Sequence, residues 1–194
     1  MRYNLAPAVP ENSFPRVVSL ACHDLRTPLA TVYGFARTLT RAGELDERTM
    51  RFLGMIEEAS EQMTALLDEL GVAARIEGER WEPALREVDT LELARSEDER
   101  IRTEGAGELV ETEAESVARG LQSLAIAASR HGPAEPVTWR VDGRTLELSP
   151  VTEAAAPVVT GKSVRDLGSL VARLVIEALG GSLELDGETL RVKL

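Results

Sequence analysis

Val18-Ser19-Leu20-Ala21-Cys22-His23-Asp24-Leu25-Arg26-Thr27-Pro28-Leu29 is the stretch whose reading decides the fold of this chain. Apolar residues at Val18, Cys22, Leu25 and Leu29, continuing through Val32, Ala36 and Leu39, alternate spacings of four and three, the heptad seam of an amphipathic helix. His23 falls beside that seam, Asp24 adjoins it, and Thr27, four residues on, stands over His23 on the same helical face. A histidine on a helix flank with a neighbouring acid is placed to offer a ring nitrogen to something docking from outside. The plain alternative is a solvated helical histidine with no chemistry. Pro28 weighs against it. Proline inside a helix removes a backbone hydrogen bond and clashes with the preceding turn, at about 3 kcal/mol. A helix that keeps one here needs the kink or the loosened backbone.

The chain has 194 residues, enough for one compact domain or two small ones, and its hydrophobic fraction of 43% is that of a folded protein. Aromatics make up only 4%, which favours aliphatic helix packing. A net charge of −11 argues against nucleic-acid binding, and lysine occurs only at Lys162 and Lys193. No run of about 18 apolar residues is present to span a membrane, and Met1–Pro10 lacks the apolar core of a signal peptide. The single Cys22 cannot form an internal disulfide and lies on the seam as a small core residue, consistent with a cytoplasmic location. Helical neighbours point about 100° apart, so Cys22 and His23 do not face each other.

The first helix is expected from near Ser13 to about Arg41, with Pro15 tolerated in its first turn. Ala42-Gly43-Glu44-Leu45 forms the connection, and Asp46 is a good N-cap for a second helix. That helix carries its own seam at Leu53, Ile56, Ser60, Met63, Leu67, Leu70 and Ala74 and ends between Gly78 and Pro83. Two such helices bury too little surface alone, so a homodimeric four-helix bundle is the expected remedy. The flanking apolar residues Val17, Phe35, Phe52, Met55, Ala59 and Leu66 widen the face in keeping with a bundle. An intramolecular bundle completed by the second half is the alternative.

From Trp81 the pattern changes to short strands and helices. Ser116–Arg130 reads as a helix. Val137–Val141 and Thr145–Leu148 flank Asp142-Gly143, and Ser182–Leu185 and Thr189–Leu194 flank Asp186-Gly187-Glu188, giving two hairpins. Leu167–Leu179 is helical and stops at Gly180-Gly181. The whole is expected to be α+β, with residues 1–80 a helical hairpin and residues 81–194 an α/β two-layer sandwich. The acidic run Glu111-Thr112-Glu113-Ala114-Glu115 reads as a solvated loop and helix start, and His131 as a surface residue near a C-cap.

His23-Asp24-Leu25-Arg26-Thr27-Pro28-Leu29 resembles the H-box of sensor histidine kinases, and the second helix, through Leu66-Leu67-Asp68-Glu69-Leu70, is similar to the family's second helix. The order of elements after residue 81 looks like the family's ATP-binding domain in degenerate form. Glu115–Gly132 resembles the helix carrying the N-box, but Ala127 stands where its metal-holding asparagine belongs. Ser149-Pro150-Val151-Thr152-Glu153 replaces the adenine-reading Asp-x-Gly-x-Gly. Leu170–Leu183 looks like the helix and strand after the second glycine box, of which Asp166-Leu167-Gly168-Ser169 keeps one glycine. Asp166 adds negative charge where a triphosphate would sit. The span from Pro150 to Asp166 leaves room for only a stunted lid. Gly161-Lys162-Ser163 is similar to the end of a P-loop but lacks the upstream glycine.

The resemblance implies a histidine phosphotransferase. His23 is the phosphoacceptor, exchanging a phosphoryl group with the aspartate of a response-regulator receiver domain. Asp24 fixes the ring tautomer, and Thr27 resembles the residue that orients water in some relatives. Arg26 is a candidate phosphate or partner contact, or else a solvated helix residue. No bound cofactor is expected on this chain, and Mg2+ belongs to the receiver. The competing expectations are an active histidine kinase with a divergent nucleotide pocket and a non-catalytic scaffold that sequesters a receiver. Met1 to Ser13 is too short for an input domain, which suits the first and last readings.

Overall fold

The computed structural model describes residues 13–43, 45–132, 136–163 and 165–194. The expectations for the Met1–Pro10 leader and for Glu44 in the helix connection lie outside them. The chain forms two compact units, Met1–Arg80 and Trp81–Leu194.

In the first unit α1 (Ser13–Ala42) and α2 (Glu47–Glu77) form a helical hairpin. Asp46 caps α2: its carboxylate accepts from the Thr49 amide at 3.0 Å and from the Thr49 hydroxyl at 2.6 Å. Gly78 closes the other end, its amide reaching the Ala74 carbonyl. The helices run antiparallel, since Arg26, Tyr33 and Thr40 of α1 bond to Asp68, Glu61 and Glu57 of α2 in descending order.

The seven-residue seam on α1 splits in two. Cys22, Leu29 and Ala36 are buried against α2, whereas Leu25, Val32 and Leu39 are 53%, 49% and 48% exposed. One neighbouring helix covers only one side of a heptad stripe; the other line stays open within a single chain. On α2, Leu53, Ser60 and Ala74 are likewise buried, while Ile56, Met63 and Leu70 are not.

The second unit has the element order β1 (Arg86–Asp89), α3 (Thr90–Ala94), β2 (Ile101–Gly107), β3 (Leu109–Thr112), α4 (Ala114–Arg130), β4 (Val137–Gly143), β5 (Thr145–Ser149), α5 (Ala156–Val159), α6 (Leu167–Ala178), β6 (Ser182–Asp186) and β7 (Thr189–Lys193). Five strands form one sheet in the order β2-β4-β5-β7-β6, with β2 parallel to β4 and the other pairs antiparallel; β1 and β3 form a separate two-stranded sheet. Both expected hairpins are present. The acidic run is corrected: Glu111 and Thr112 are paired in β3 opposite Glu87 and Arg86, and Glu113 caps α4 through the Ser116 amide at 2.7 Å. Strand pairing with β1 overrides the local charge density there.

Period-two alternation sorts the sheet's faces. Val137, Trp139, Val141, Leu146, Leu148, Leu190 and Val192 are buried together with Leu121, Leu124, Val175 and Ile176 of α4 and α6. These helices approach closely because Gly120 is bare: a Cβ there would lie 3.0 Å from that of Ala172. On the other face the register sets Glu104, Arg140, Glu147, Arg191 and Glu184 side by side across all five strands. Charge sign alternates along this row, and Arg191 meets Glu147 at 2.8 Å and Arg140 meets Glu104 at 3.3 Å.

Candidate functional site

His23 lies near the middle of α1 with its side chain 77% exposed, beside Asp24 at 67%. The ring Nδ1 stands 3.2 Å from Asp24 Oδ1. A carboxylate only accepts, so Nδ1 carries the proton of this bond, which in a neutral ring leaves the lone pair on Nε2. Thr27 is exposed on the same face, and its carbonyl accepts from the Thr31 hydroxyl at 3.1 Å.

Pro28 lies inside an otherwise continuous helix. Lacking an amide hydrogen, it cannot donate to the Asp24 carbonyl, so the turn that carries His23 misses one backbone tie. Arg26 takes a position the sequence reading did not anticipate. Its Nε and Nη2 both donate to Asp68 Oδ1, at 3.1 and 2.6 Å, tying this turn to α2. It is therefore not a freely solvated helix residue.

In the second unit, the segments that by resemblance correspond to a nucleotide site are residues 115–132, 149–153 and 166–169. Ala127 is 1% exposed in α4, and its methyl group offers no ligand atom. Val151, Ala155, Val158 and Val159, from the stretch after β5, are buried, and α5 packs on α4. That stretch is held at both ends: the Thr152 hydroxyl donates to the His131 carbonyl at 2.8 Å, and Arg173 Nη1 donates to the Thr160 carbonyl at 2.7 Å. His131 itself is the exposed C-cap residue of α4, as expected.

At the N-terminus of α6, Asp166 accepts from the Ser169 amide at 2.8 Å, with Arg130 Nη1 at 3.8 Å from its other oxygen. The positive end of that helix is therefore already met by a carboxylate of the chain. The Ser169 hydroxyl has no hydrogen-bond partner, but it is fully buried, beyond the reach of a ligand at the surface. Among the described residues no group of three or more His, Cys, Asp or Glu side chains is arranged to hold a metal ion, and no helix is long and apolar enough to cross a membrane.

Residues 16–79 match the family model described as the His Kinase A (phospho-acceptor) domain. A search of curated proteins found no match. The fold is similar to full-length ShkA, solved in complex with AMPPNP, at 20% identity and a TM-score of 0.65 over 92% of this chain. The chain spans 44% of ShkA's length. It is also similar to the histidine kinase AdeS of Acinetobacter baumannii, at 17% identity and a TM-score of 0.53, covering 89% of this chain and 96% of that one. The hairpin thus matches the phospho-acceptor family model, and the fold of the whole chain is similar to that of these solved structures.

Proposed function

We propose that this chain is a histidine phosphotransferase that works without ATP. His23 accepts a phosphoryl group from the aspartate of a receiver domain, or returns it to one, on a homodimeric bundle. The contrast between the two halves carries this reading. His23 is exposed with its Nδ1 beside Asp24, whereas Ala127 and Asp166 stand where the family resemblance would put a metal ligand and an anion pocket. The residues present do not fit a nucleoside triphosphate with its metal.

In the forward step the Nε2 lone pair forms a bond to phosphorus as the bond from phosphorus to the receiver's aspartyl oxygen breaks. The electron pair of that bond leaves with the aspartate. Positive charge develops on the imidazole ring, and the Asp24 carboxylate is the group placed to stabilise it. Positioning supplies most of the remaining rate, and charge on the transferring group is met on the receiver side, where Mg2+ is expected. In this reading Thr27, one turn along the same face, orients a water toward the receiver's phosphate, as the family resemblance implies.

The test is to mix the purified protein with a radiolabelled phospho-receiver. Label is expected on wild type and absent from His23→Ala. No transfer from any receiver of the host overturns the proposal, as does full labelling of His23→Ala. Titration with ATP and magnesium is expected to give neither binding nor autophosphorylation; micromolar binding would make the chain a kinase with a divergent pocket. Receiver binding and regulation left intact by His23→Ala would point to the scaffold.

A further inference from the structure

Arg26, Tyr33 and Thr40 recur every seven residues along α1, and each crosses to a carboxylate of α2. The Tyr33 hydroxyl meets Glu61 at 3.0 Å and the Thr40 hydroxyl meets Glu57 at 2.6 Å. The Arg26 rung differs from those two. It is an ion pair in which two guanidinium nitrogens converge on one carboxylate oxygen. Its position also differs, three residues after His23 and two before Pro28. There α1 lacks the hydrogen bond that residue 28 would donate to Asp24. The rung falls in the turn that the helix's own backbone holds least well.

The surface of α2 opposite is cleared for it. Gly71, one turn beyond Asp68, is buried, and a Cβ there would lie 3.7 Å from Arg26 Nη2 and 3.5 Å from Arg75 Nη1. A longer side chain at this position would compete with the guanidinium for the space.

We propose that Arg26 and Asp68 are a positioning pair for His23: their cross-helix bond replaces the backbone tie that Pro28 removes and sets the rotation of the His23 turn against α2. This rests on the phosphotransfer reading above. A receiver that docks against both helices meets Nε2 at a defined angle only if that turn is fixed. Neither residue needs to touch the phosphoryl group. The half-exposed pair, at 40% and 36%, acts through geometry more than through stability.

The test uses the full chain and four variants: Arg26→Gln, Asp68→Asn, the double variant, and the exchange Arg26→Asp with Asp68→Arg. Transfer from a radiolabelled phospho-receiver is expected to slow about tenfold at saturating receiver in each single variant, with little change in KM. The double variant is expected to be no slower than either single one, and the exchange to recover most of the rate. Phosphoramidate serves as a small donor, its P–N bond breaking as ammonia leaves with the electron pair and His23 takes the phosphoryl group. Labelling by this route is expected to be equal in all variants, because a small donor requires no register against α2.

Wild-type transfer by Asp68→Asn overturns the proposal. So does an exchange variant as slow as Arg26→Gln, which would mean that Arg26 contacts the receiver itself. Equal loss of phosphoramidate labelling would reduce the pair to a fold contact. Amide hydrogen exchange of residues 23–30 reads the pair without any receiver: it is expected to quicken about tenfold in the single variants and to recover in the exchange. Unchanged exchange overturns the positioning role even if wild type accepts label from no receiver, an outcome that by itself overturns only the function proposed above.

Discussion

Of the two ring nitrogens of His23, Asp24 binds only Nδ1. In the transfer proposed above, the bond costs little to keep in the resting ring and strengthens as the ring becomes cationic, so its effect belongs to the rate. A hydrogen bond to a charged group contributes about 1.5–3 kcal/mol, and Asp24→Asn keeps the shape while removing the charge. Transfer to Asp24→Asn is therefore expected to be slower by roughly ten- to a hundredfold, read as the initial rate of label gain from a phospho-receiver; an unchanged rate would remove Asp24 from the mechanism. The contact between these two residues was legible in the sequence because they adjoin and lie within a seven-residue motif. Arg26 was not. Its partner is 42 residues away, and only the register of two antiparallel helices shows that the pair can meet. Spacing along one helix gives the face a side chain occupies but not what stands opposite.

Among the elements, the starts of α2 and α6 were read well, and carboxylates mark both. Asp46 and Asp166 each accept from the amide three residues on, as an N-cap does. Asp166→Ala is expected to destabilise the second unit by about 1 kcal/mol, measured as a lower denaturation midpoint of the fluorescence of Trp139, which is buried in that unit's core. Asp46 supplies a test in pH. The Thr49 hydroxyl, and then its amide, hold the Asp46 carboxyl below its ordinary value of 3.8. A depressed folded value means that its contribution is complete above the ordinary value and is lost as pH falls through the depressed one. Asp46→Ala is accordingly expected to lower the thermal midpoint of helical circular dichroism at neutral pH, with the gap from wild type closing under acid. A gap that widened there would reverse the sign of the cap's effect. The elements that escaped sequence reading were those built by distant pairing. Strand β2 carries Gly105 and Gly107 and gains its order from β4, more than 30 residues on. Helix α5 is four residues whose apolar side chains have meaning only against α4.

For the molecule as a whole, the distribution of exposed apolar side chains argues for where a second copy binds. Thirteen of the fifteen large hydrophobic residues exposed among the described residues lie in the hairpin, and only Leu85 and Leu109 in the second unit. The outer face of the five-stranded sheet is crossed by a row of alternating charges, a surface already satisfied by its own pairs. The hairpin's open line of Leu25, Val32 and Leu39 is the unsatisfied one, and each such side chain is worth about 1.5–3 kcal/mol when fully buried. His23 is two residues before Leu25 and Thr27 two after, which on a helix of 3.6 residues per turn places both about 160° from that line. A bundle closed through Leu25, Val32 and Leu39 would therefore cover the apolar surface and leave Nε2 open to a receiver. Wild type is expected to sediment at twice the chain mass. Val32→Glu combined with Leu39→Glu puts four carboxylates into the dimer's core and is expected to yield monomer at micromolar concentration. Arg191→Glu, which disrupts only the sheet's charged row, is expected to remain dimeric. Monomeric wild type, or a double variant that stays dimeric, would leave this face without the partner argued for it. Because His23 points away from the face, the monomeric variant should still take phosphate from phosphoramidate, which separates the need for a dimer in docking a receiver from any need for it at the histidine.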